Sequence, residues 1–507
     1  MNIVNCQLRI IMNHYDAAII GAGLGGLQCA YILAKRGMKV VVVEKGQLLG
    51  GCIQTFARRG RKFDTGFHYV GGLDDGQPLN RLFKEFGLMD LPWVRLDDDG
   101  FDEVIYGGKS YMIPSGFDNF KARMKGSFPG SAAEIDSYTD FLEGVATEIF
   151  GSFDRAGDGN MSEGSLFSRG AYDFLTSTIH DTTLQNVLSG TSPKLTLQKE
   201  TLPLYTFAQI NASFILSAYR LRGGGMQVAD SLAASIRKFG GEVITDAEVT
   251  KLLENNGVVD TLEIANHEPI TAKIIIADIH PSQFIRIAEG TSFVRNIYKR
   301  RITALQNGFG IFTANIALKP GVVKYLNRNI YIHNTDDVWT EGTQTAAENP
   351  RCCLISFGVP DRVGDEYATN VDLLTPMLWD DVAEFAGSRV MRRPDAYNDL
   401  KNRKASQLID IASNYIPGLK DAIENVYTST PLTYADYTGT EQGSAYGVNK
   451  DFNRLAYTLL TPLSPIPNVF FTGQNLSLHG ILGVSMTSLF TCAAALKEKP
   501  GFGLFRS

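Results

Sequence analysis

At 507 residues the chain is too long for a single hydrophobic core, so two or three lobes are expected. Hydrophobic residues make up 44% and charged ones 20%; 48 basic against 54 acidic side chains leave a net charge of −6 with no basic run, which argues against nucleic acid as a partner. The cysteines (Cys6, Cys29, Cys52, Cys352, Cys353 and Cys492) show neither C-x-x-C nor metal-ligand spacing, so no metal is expected. Met1–Asp16 has no adequate signal-peptide h-region or cleavage site, and Met12 is an alternative start. Together these predict a reducing, cytoplasmic location. No apolar run approaches the ~18–20 residues that span a bilayer. Peripheral attachment to the inner face of a membrane stays compatible with that.

The first informative stretch is DAAIIGAGLGGLQCAYILAKRGMKVVVVE, Asp16 to Glu44. Ala17 to Ile20 reads as a buried strand, and Leu27 to Arg36 carries apolar residues at helical spacing. Between them Gly21, Gly23 and Gly26 form G-x-G-x-x-G, with Leu24 and Gly25 inside it. The three glycines meet three different steric demands, namely a tight turn, backbone approach to a pyrophosphate, and close helix–strand contact. The helix presents free N–H groups and its positive dipole end to the phosphates. Lys39 to Val43 is a β-branched run typical of a strand covered on both faces. Glu44, 23 residues after Gly21, is placed to accept both hydroxyls of an adenosine ribose, with Lys45 beside it. Strand, glycines, helix, strand and acid in this order predict a dinucleotide site.

Gly50 and Gly51 follow at once, then Thr55 and the run FDTGFHYVGG from Phe63 to Gly72. A second glycine pair lets more backbone approach an extended cofactor. On GGCIQTFARRGRKFDTGFHYVGG the chain resembles the retinol saturase and carotenoid isomerase/phytoene desaturase branch of FAD-dependent oxidoreductases. The resemblance covers both ends and the middle, and is more diffuse over 130–215 and 290–430. It implies an α/β fold: an FAD-binding Rossmann-like domain of the amine-oxidase type with an interleaved α+β substrate domain. The boundaries expected are 12–120, 219–285 and 456–507 for the FAD-binding domain, and 121–218 with 286–455 for the substrate domain.

Along the chain, DEVIY and KSYMIP (within 102–114) read as strands of the first segment. Ser131 with Glu134 forms a capping box before an amphipathic helix whose apolar face is Ile135, Tyr138, Phe141, Leu142, Val145 and Ile149. TLPLYTFAQINASFILSAY (201–219) is either a core helix or the wall of an apolar substrate tunnel or a membrane-facing mouth. A helix from Met226 to Phe239 precedes a hairpin turning at Asn255-Asn256-Gly257, and Ile270 to Ala277 is a strand reaching Asp278. The resemblance puts the backbone of Val249 against the adenine. GIFTANIAL (310–318) and CCLISFGV (352–359) read as strands, and Leu408 to Tyr415 as a helix stopped by Pro417-Gly418.

Near the end, NVFFTGQNLSLHGILGVSMTSLF gives a strand over Val469–Thr472, a turn at Gly473, a glycine-punctuated loop and a helix from about Val484. The family closes its flavin site here. A flavin gains negative charge near N1 and O2 on reduction, and Gly483 and Val484 are expected to offer N–H groups to it. Gln474 stands where many related flavoproteins carry an acid; an amide still hydrogen-bonds ribityl or phosphate oxygens. Candidate proton-moving residues are His68, Tyr69 and His479. Asp64 is expected to order the FDTG turn, and Cys52 to be a packing residue rather than a flavin linkage, so FAD is expected to be non-covalent.

One fingerprint without a second nicotinamide site means that the electron donor or acceptor comes from elsewhere. The resemblance implies saturation, desaturation or isomerisation of C=C bonds in an apolar polyene. The competing readings are an amine-oxidase-like flavoenzyme, which needs an aromatic cage, and a redox-silent prenyl- or lipid-binding carrier of the same fold.

Overall fold

The computed structural model describes residues 13–154 and 165–506; the alternative start at Met12 lies outside them. Two seven-stranded sheets organise the chain. The first has the order 242–244, β2 (Val40–Val43), β1 (Asn13–Ile20), 270–277, 258–264, 249–255, with Val469–Phe471 also pairing with Ile270–Ala277. β1, β2, Glu242–Ile244, Ile270–Ala277 and Val469–Phe471 run parallel. Both faces of β1 and β2 are covered. Ala17, Ile19, Val40 and Val42 pack against helices Leu24–Lys35 (α1), Met226–Lys238 and Gly480–Leu496. Ala18, Ile20, Val41 and Val43 pack on the opposite side against the hairpin and helix Pro281–Ala288. That double burial is why these strands are unbroken apolar runs.

Register places the functional edge. Ile20 pairs with Val43 and with Ala277, and Ala277 pairs with Phe471. Four parallel strands therefore end level, and Gly21, Glu44 and Asp278, which follow three of them directly, meet Gly473, two positions past the fourth, outside the carboxyl ends, where open α/β sheets bind ligands.

The second sheet has the order 423–429, 310–318, 370–377, 352–357, 329–333, 102–106, 109–113. One face carries Ile311, Tyr331, Leu354 and Leu374 against helices within 132–216, including Leu204–Leu216. The other carries Phe312, Ile316, Ile355 and Leu373 against helix Asp395–Ser413.

Four expectations change. The hairpin Asp102–Ile113, expected in the FAD-binding segment 12–120, belongs to the second sheet, because Asp102–Ile105 pair in parallel with Asn329–Ile332. The capping box at Ser131 is altered: Glu134 keeps a hydrogen bond with the Ser131 side chain, but it also accepts the His180 backbone N–H at 3.1 Å and lies 2.7 Å from its ring Nδ1. The helix itself forms as Ala132–Asp154, with Ile135, Tyr138, Leu142 and Val145 buried. The helix expected at Leu408 starts at Asp395, and its early turns were hidden by a polar, solvent-facing sequence. The closing helix starts at Gly480 rather than Val484.

Candidate functional site

A cavity of about 700 Å³ begins at the glycine loop and ends at the second sheet. Its first end is built by Gly21, Gly23, Leu24, Gly25, Glu44, Lys45, Gly50, Gly51 and Val249, and its middle by Gly473, Gln474, His479, Gly483 and Val484. Of the residues expected to bind cofactor, Gly26 and Thr55 do not line it. Gly26 packs the helix onto the strand: a Cβ there would sit 2.4 Å from the Gly21 carbonyl oxygen. Thr55 Oγ1 instead donates to Asp64 Oδ1 at 2.7 Å, and Asp64 also accepts the Gly225 N–H at 2.8 Å. Asp64 thus ties its strand to the facing strand and to the loop at Gly225, and neither bond lies within the FDTG turn it was expected to order.

Glu44 is held by two backbone donors: Ala22 N–H to Oε2 and Gly46 N–H to Oε1, each at 2.8 Å. No side chain caps α1. The Gly26 N–H is taken by Asp278 Oδ2 at 2.8 Å, while Leu24 and Gly25 face the cavity. Gly50 joins this cradle through its N–H to the Ala22 carbonyl at 2.7 Å, with φ +96° that favours glycine. The residues therefore fit a dinucleotide: open helix N–H groups, two glycine turns and an anchored acid at the strand ends.

Asp278, which lines the cavity, is the site residue that sequence reasoning passed over. A Cβ on Gly23 would stand 2.5 Å from its Oδ2, and one on Gly473 2.2 Å from its Oδ1. Gly23 is therefore needed for this half-buried carboxyl as well as for any ligand. Burial pushes the Asp278 carboxyl up to about 6; the Gly26 N–H opposes the rise and nearby Glu44 adds to it. The signal was an acid one residue beyond an apolar strand, the same position that Glu44 holds after β2.

The early start of the closing helix moves its open N–H groups to Gly480, Ile481 and Leu482. Gly483 and Val484 lie beyond that first turn, so neither offers a free N–H as expected, although both line the cavity. His479 is the N-cap residue; its Nε2 lies 3.1 Å from the Lys194 carbonyl oxygen, and its ring leans on Tyr446 at 4.5 Å. Burial pushes its imidazole down to about 4. A neutral ring donating to a carbonyl is a strut, not a titrating base near pH 7. Lys450 ties the adjoining loop by donating to the carbonyls of Val448, Asn475 and Gln474 at 2.7, 3.2 and 3.4 Å.

The far end is apolar. Leu374 pairs with Leu354, and Leu354 with Tyr331, giving a cross-strand row that faces Ile210, Ser213 and Phe214 of helix Leu204–Leu216. The 201–219 stretch is therefore both core helix and cavity wall: Gln209, Ile210, Ser213 and Phe214 line the space, and Ile215 is buried in the core instead. Tyr69 sits in a buried polar knot. Its hydroxyl donates to Asp102 Oδ2 at 2.8 Å and lies 2.6 Å from the Tyr331 hydroxyl. Lys194 Nζ donates to the same Asp102 oxygen at 3.2 Å and stands 4.1 Å over the Phe214 ring. Burial, then Asp102, pushes the Tyr69 phenol well up, so it stays protonated. His68 also lines the cavity, with its imidazole pushed down to about 4 by burial and then by Arg220.

His333, Glu341 and Cys352 come close enough to suggest a metal site. The donors are already engaged: His333 Nδ1 meets Glu341 Oε1 at 2.5 Å and its Nε2 meets the Gly190 carbonyl at 2.6 Å. Among the described residues, no helix is long and apolar enough to cross a membrane.

Residues 19–86 match the family model of the NAD(P)-binding Rossmann-like domain. Over 96% of its length the chain is 28% identical to the all-trans-retinol 13,14-reductase of Danio rerio, covering 86% of that protein. The Homo sapiens protein of that name is 25% identical over 95% of the chain and 86% of its own length. Over an alignment of 285 positions that takes in 52% of its length, the chain is 27% identical to the chloroplastic prolycopene isomerase of Daucus carota, covering 46% of that protein. Among solved structures, putrescine oxidase bound to putrescine superposes with a TM-score of 0.65 at 16% identity, over 96% of this chain and 98% of that one. An oxidoreductase from Methanosarcina mazei gives 0.63 at 16% identity, over 95% and 100%. The chain has the fold of these oxidoreductases and is similar to the retinol reductases over nearly all its length.

Proposed function

We propose that the chain is a flavin-dependent oxidoreductase that holds FAD non-covalently and acts on C=C bonds of an apolar polyene. The observation that carries this reading is the continuous cavity that joins a dinucleotide cradle to an apolar wall. Gly21, Gly23, Leu24, Gly25, Gly50 and Gly51 would hold the pyrophosphate, Glu44 the ribose, and Val249 the adenine end. Lys45, Gln474, Gly473 and Gly483 complete the walls around the remainder. The bound flavin supplies two-electron hydride chemistry that side chains lack. The N–H groups of Gly480, Ile481 and Leu482, at a helix N-terminus, offer fixed positive dipole where negative charge develops.

A polyene has few polar handles, so its binding comes from burial at ~25 cal/mol per Å² of apolar surface. Ile210, Phe214, Ile311, Leu354 and Leu374 provide that surface. The amine-oxidase alternative is less suited to this wall: the carboxylates lining the cavity, Glu44, Glu248 and Asp278, belong to its dinucleotide end, while Lys194 stands at the apolar end. A carrier without redox function leaves the intact cradle unexplained. The electron donor or acceptor would come from outside the chain.

Cys52 is the one cysteine lining the cavity among the described residues, and burial raises its thiol. A protonated thiol is a poor nucleophile. Acid or heat precipitation of the yellow protein should therefore release all flavin into the supernatant. Flavin kept in the pellet, and lost from it in Cys52→Ser, would show a thioether instead.

A further inference from the structure

Behind the main cavity lies a second, polar pocket of about 80 Å³, and His68 is the residue that lines both. Asp64, Asp372, Arg220, Asn370 and Ser356 line its interior. Exposed Gly60, Lys62 and Asp361 stand on its boundary, so it reaches the surface. Its volume suits about two or three waters. His68 Nδ1 is 3.7 Å from Asp372 Oδ2. The other ring nitrogen, Nε2, is buried with no hydrogen-bonding partner, and so is Arg220 Nε in the pocket wall. Buried polar atoms are nearly always satisfied, so two orphans beside one small polar pocket mark it as a place where the packing leaves hydrogen-bonding capacity unused.

We infer that Asp372 and His68 form a proton route from this side pocket into the main cavity, delivering the proton that C=C saturation requires. The inference rests on the function proposed above. Saturation adds a hydride to one alkene carbon and a proton to the other; the hydride is the reduced cofactor's share, drawn from an external two-electron reductant. In the route, the groups that cover Nε2 move aside as the polyene enters, and neutral His68 gives its Nε2 proton to the alkene carbon while Asp372 in its acid form gives a proton to Nδ1. His68 ends neutral with its proton on Nδ1 and Asp372 as a carboxylate; a turn of the ring brings the protonated nitrogen back to the cavity side, and Asp372 regains its proton through the side pocket, which restores the starting state. Proton-transfer contacts in a site without substrate are often long, as the 3.7 Å separation is.

The electrostatics agree with this direction of flow. Burial pushes the Asp372 carboxyl up to about 8, with Asp64 adding to the rise and Arg220 and the Asn315 amide opposing it. Arg61, Lys62 and Asp361 are the remaining charged groups around the pocket. Burial and Arg220 keep the His68 ring neutral, which a relay that passes protons through both nitrogens needs.

The test is a single-turnover reaction of anaerobic, dithionite-reduced holoenzyme with all-trans-retinol between pH 6 and 9.5, for wild type, Asp372→Asn and His68→Gln. Wild type is expected to slow as pH rises through about 8, where Asp372 loses its proton. Both variants should be slower by at least ~10-fold, the scale of general-acid contributions, with that pH dependence gone. The thermal midpoint of the apoprotein provides a second reading. A carboxyl raised on folding stabilises fully below its unfolded value, and that stability is lost as pH rises through the folded one. Asp372→Asn should remove part of the loss seen in wild type up to about pH 8. Wild-type rate and pH profile in Asp372→Asn would overturn the route while leaving the flavin reading intact. No oxidation of the reduced wild type by any polyene would overturn both.

Discussion

Gly23→Val is expected to yield folded protein that binds flavin at least ~100-fold more weakly, a loss of about 3 kcal/mol. The cause lies as much inside the protein as at the ligand. A Cβ on Gly23 would stand 2.5 Å from Asp278 Oδ2, the atom that accepts the Gly26 N–H at 2.8 Å. A branched side chain must push that carboxyl away, leaving the N–H unpaired and spreading the loop. Visible absorbance per protein, with circular dichroism and thermal midpoint as controls, reads the outcome. Normal flavin stoichiometry in the variant would refute the placement. The double variant Gly23→Val/Asp278→Ala separates the two causes: recovery of colour assigns the clash to Asp278, and no recovery assigns it to the cofactor.

Ile210→Asp should cost turnover of a polyene at least ~100-fold while FAD stays bound, because an unpaired charge on an apolar wall is expensive to desolvate. Ile210 lines the cavity from the middle of helix Leu204–Leu216. The position matters. An aspartate at Phe214 would fall close to Lys194, whose Nζ is 4.1 Å from the Phe214 ring centre, and would gain a cation to pair with. One at Ile215 would enter the core, away from the cavity. Normal polyene turnover in a stable, yellow Ile210→Asp protein would show that this helix is not the substrate wall.

The cofactor half of the site was legible because it is local. Strand, glycines, helix, strand and acid fall within Asp16–Glu44, and each has a short-range physical reason. Long-range pairing was not legible. The strand Asp102–Tyr106 has the same β pattern in either sheet, and only its partner Asn329–His333, more than 200 positions away, decides. Asp278 was missed for a related reason: its role comes from four strand ends meeting, not from its neighbours in sequence. The closing helix hid its start because GILG reads as loop. In the fold Gly483 is there for space, since a Cβ would meet Leu478 Cβ at 2.5 Å. The histidines were found as chemistry-bearing types, but their roles separate only in three dimensions. His479 is tied to a carbonyl, whereas His68 keeps a ring nitrogen unpartnered between two cavities.

The central claim is that one cavity joins a flavin to an apolar polyene. It is tested most directly by reducing the purified holoenzyme anaerobically and mixing it, in separate runs, with all-trans-retinol, a carotenoid and putrescine while following flavin reoxidation. The account predicts rapid reoxidation by a polyene, formation of a saturated product in equal amount, and no reaction with the amine. Protein without bound flavin would contradict it. So would an oxidised flavin that putrescine reduces faster than any polyene reoxidises the reduced form.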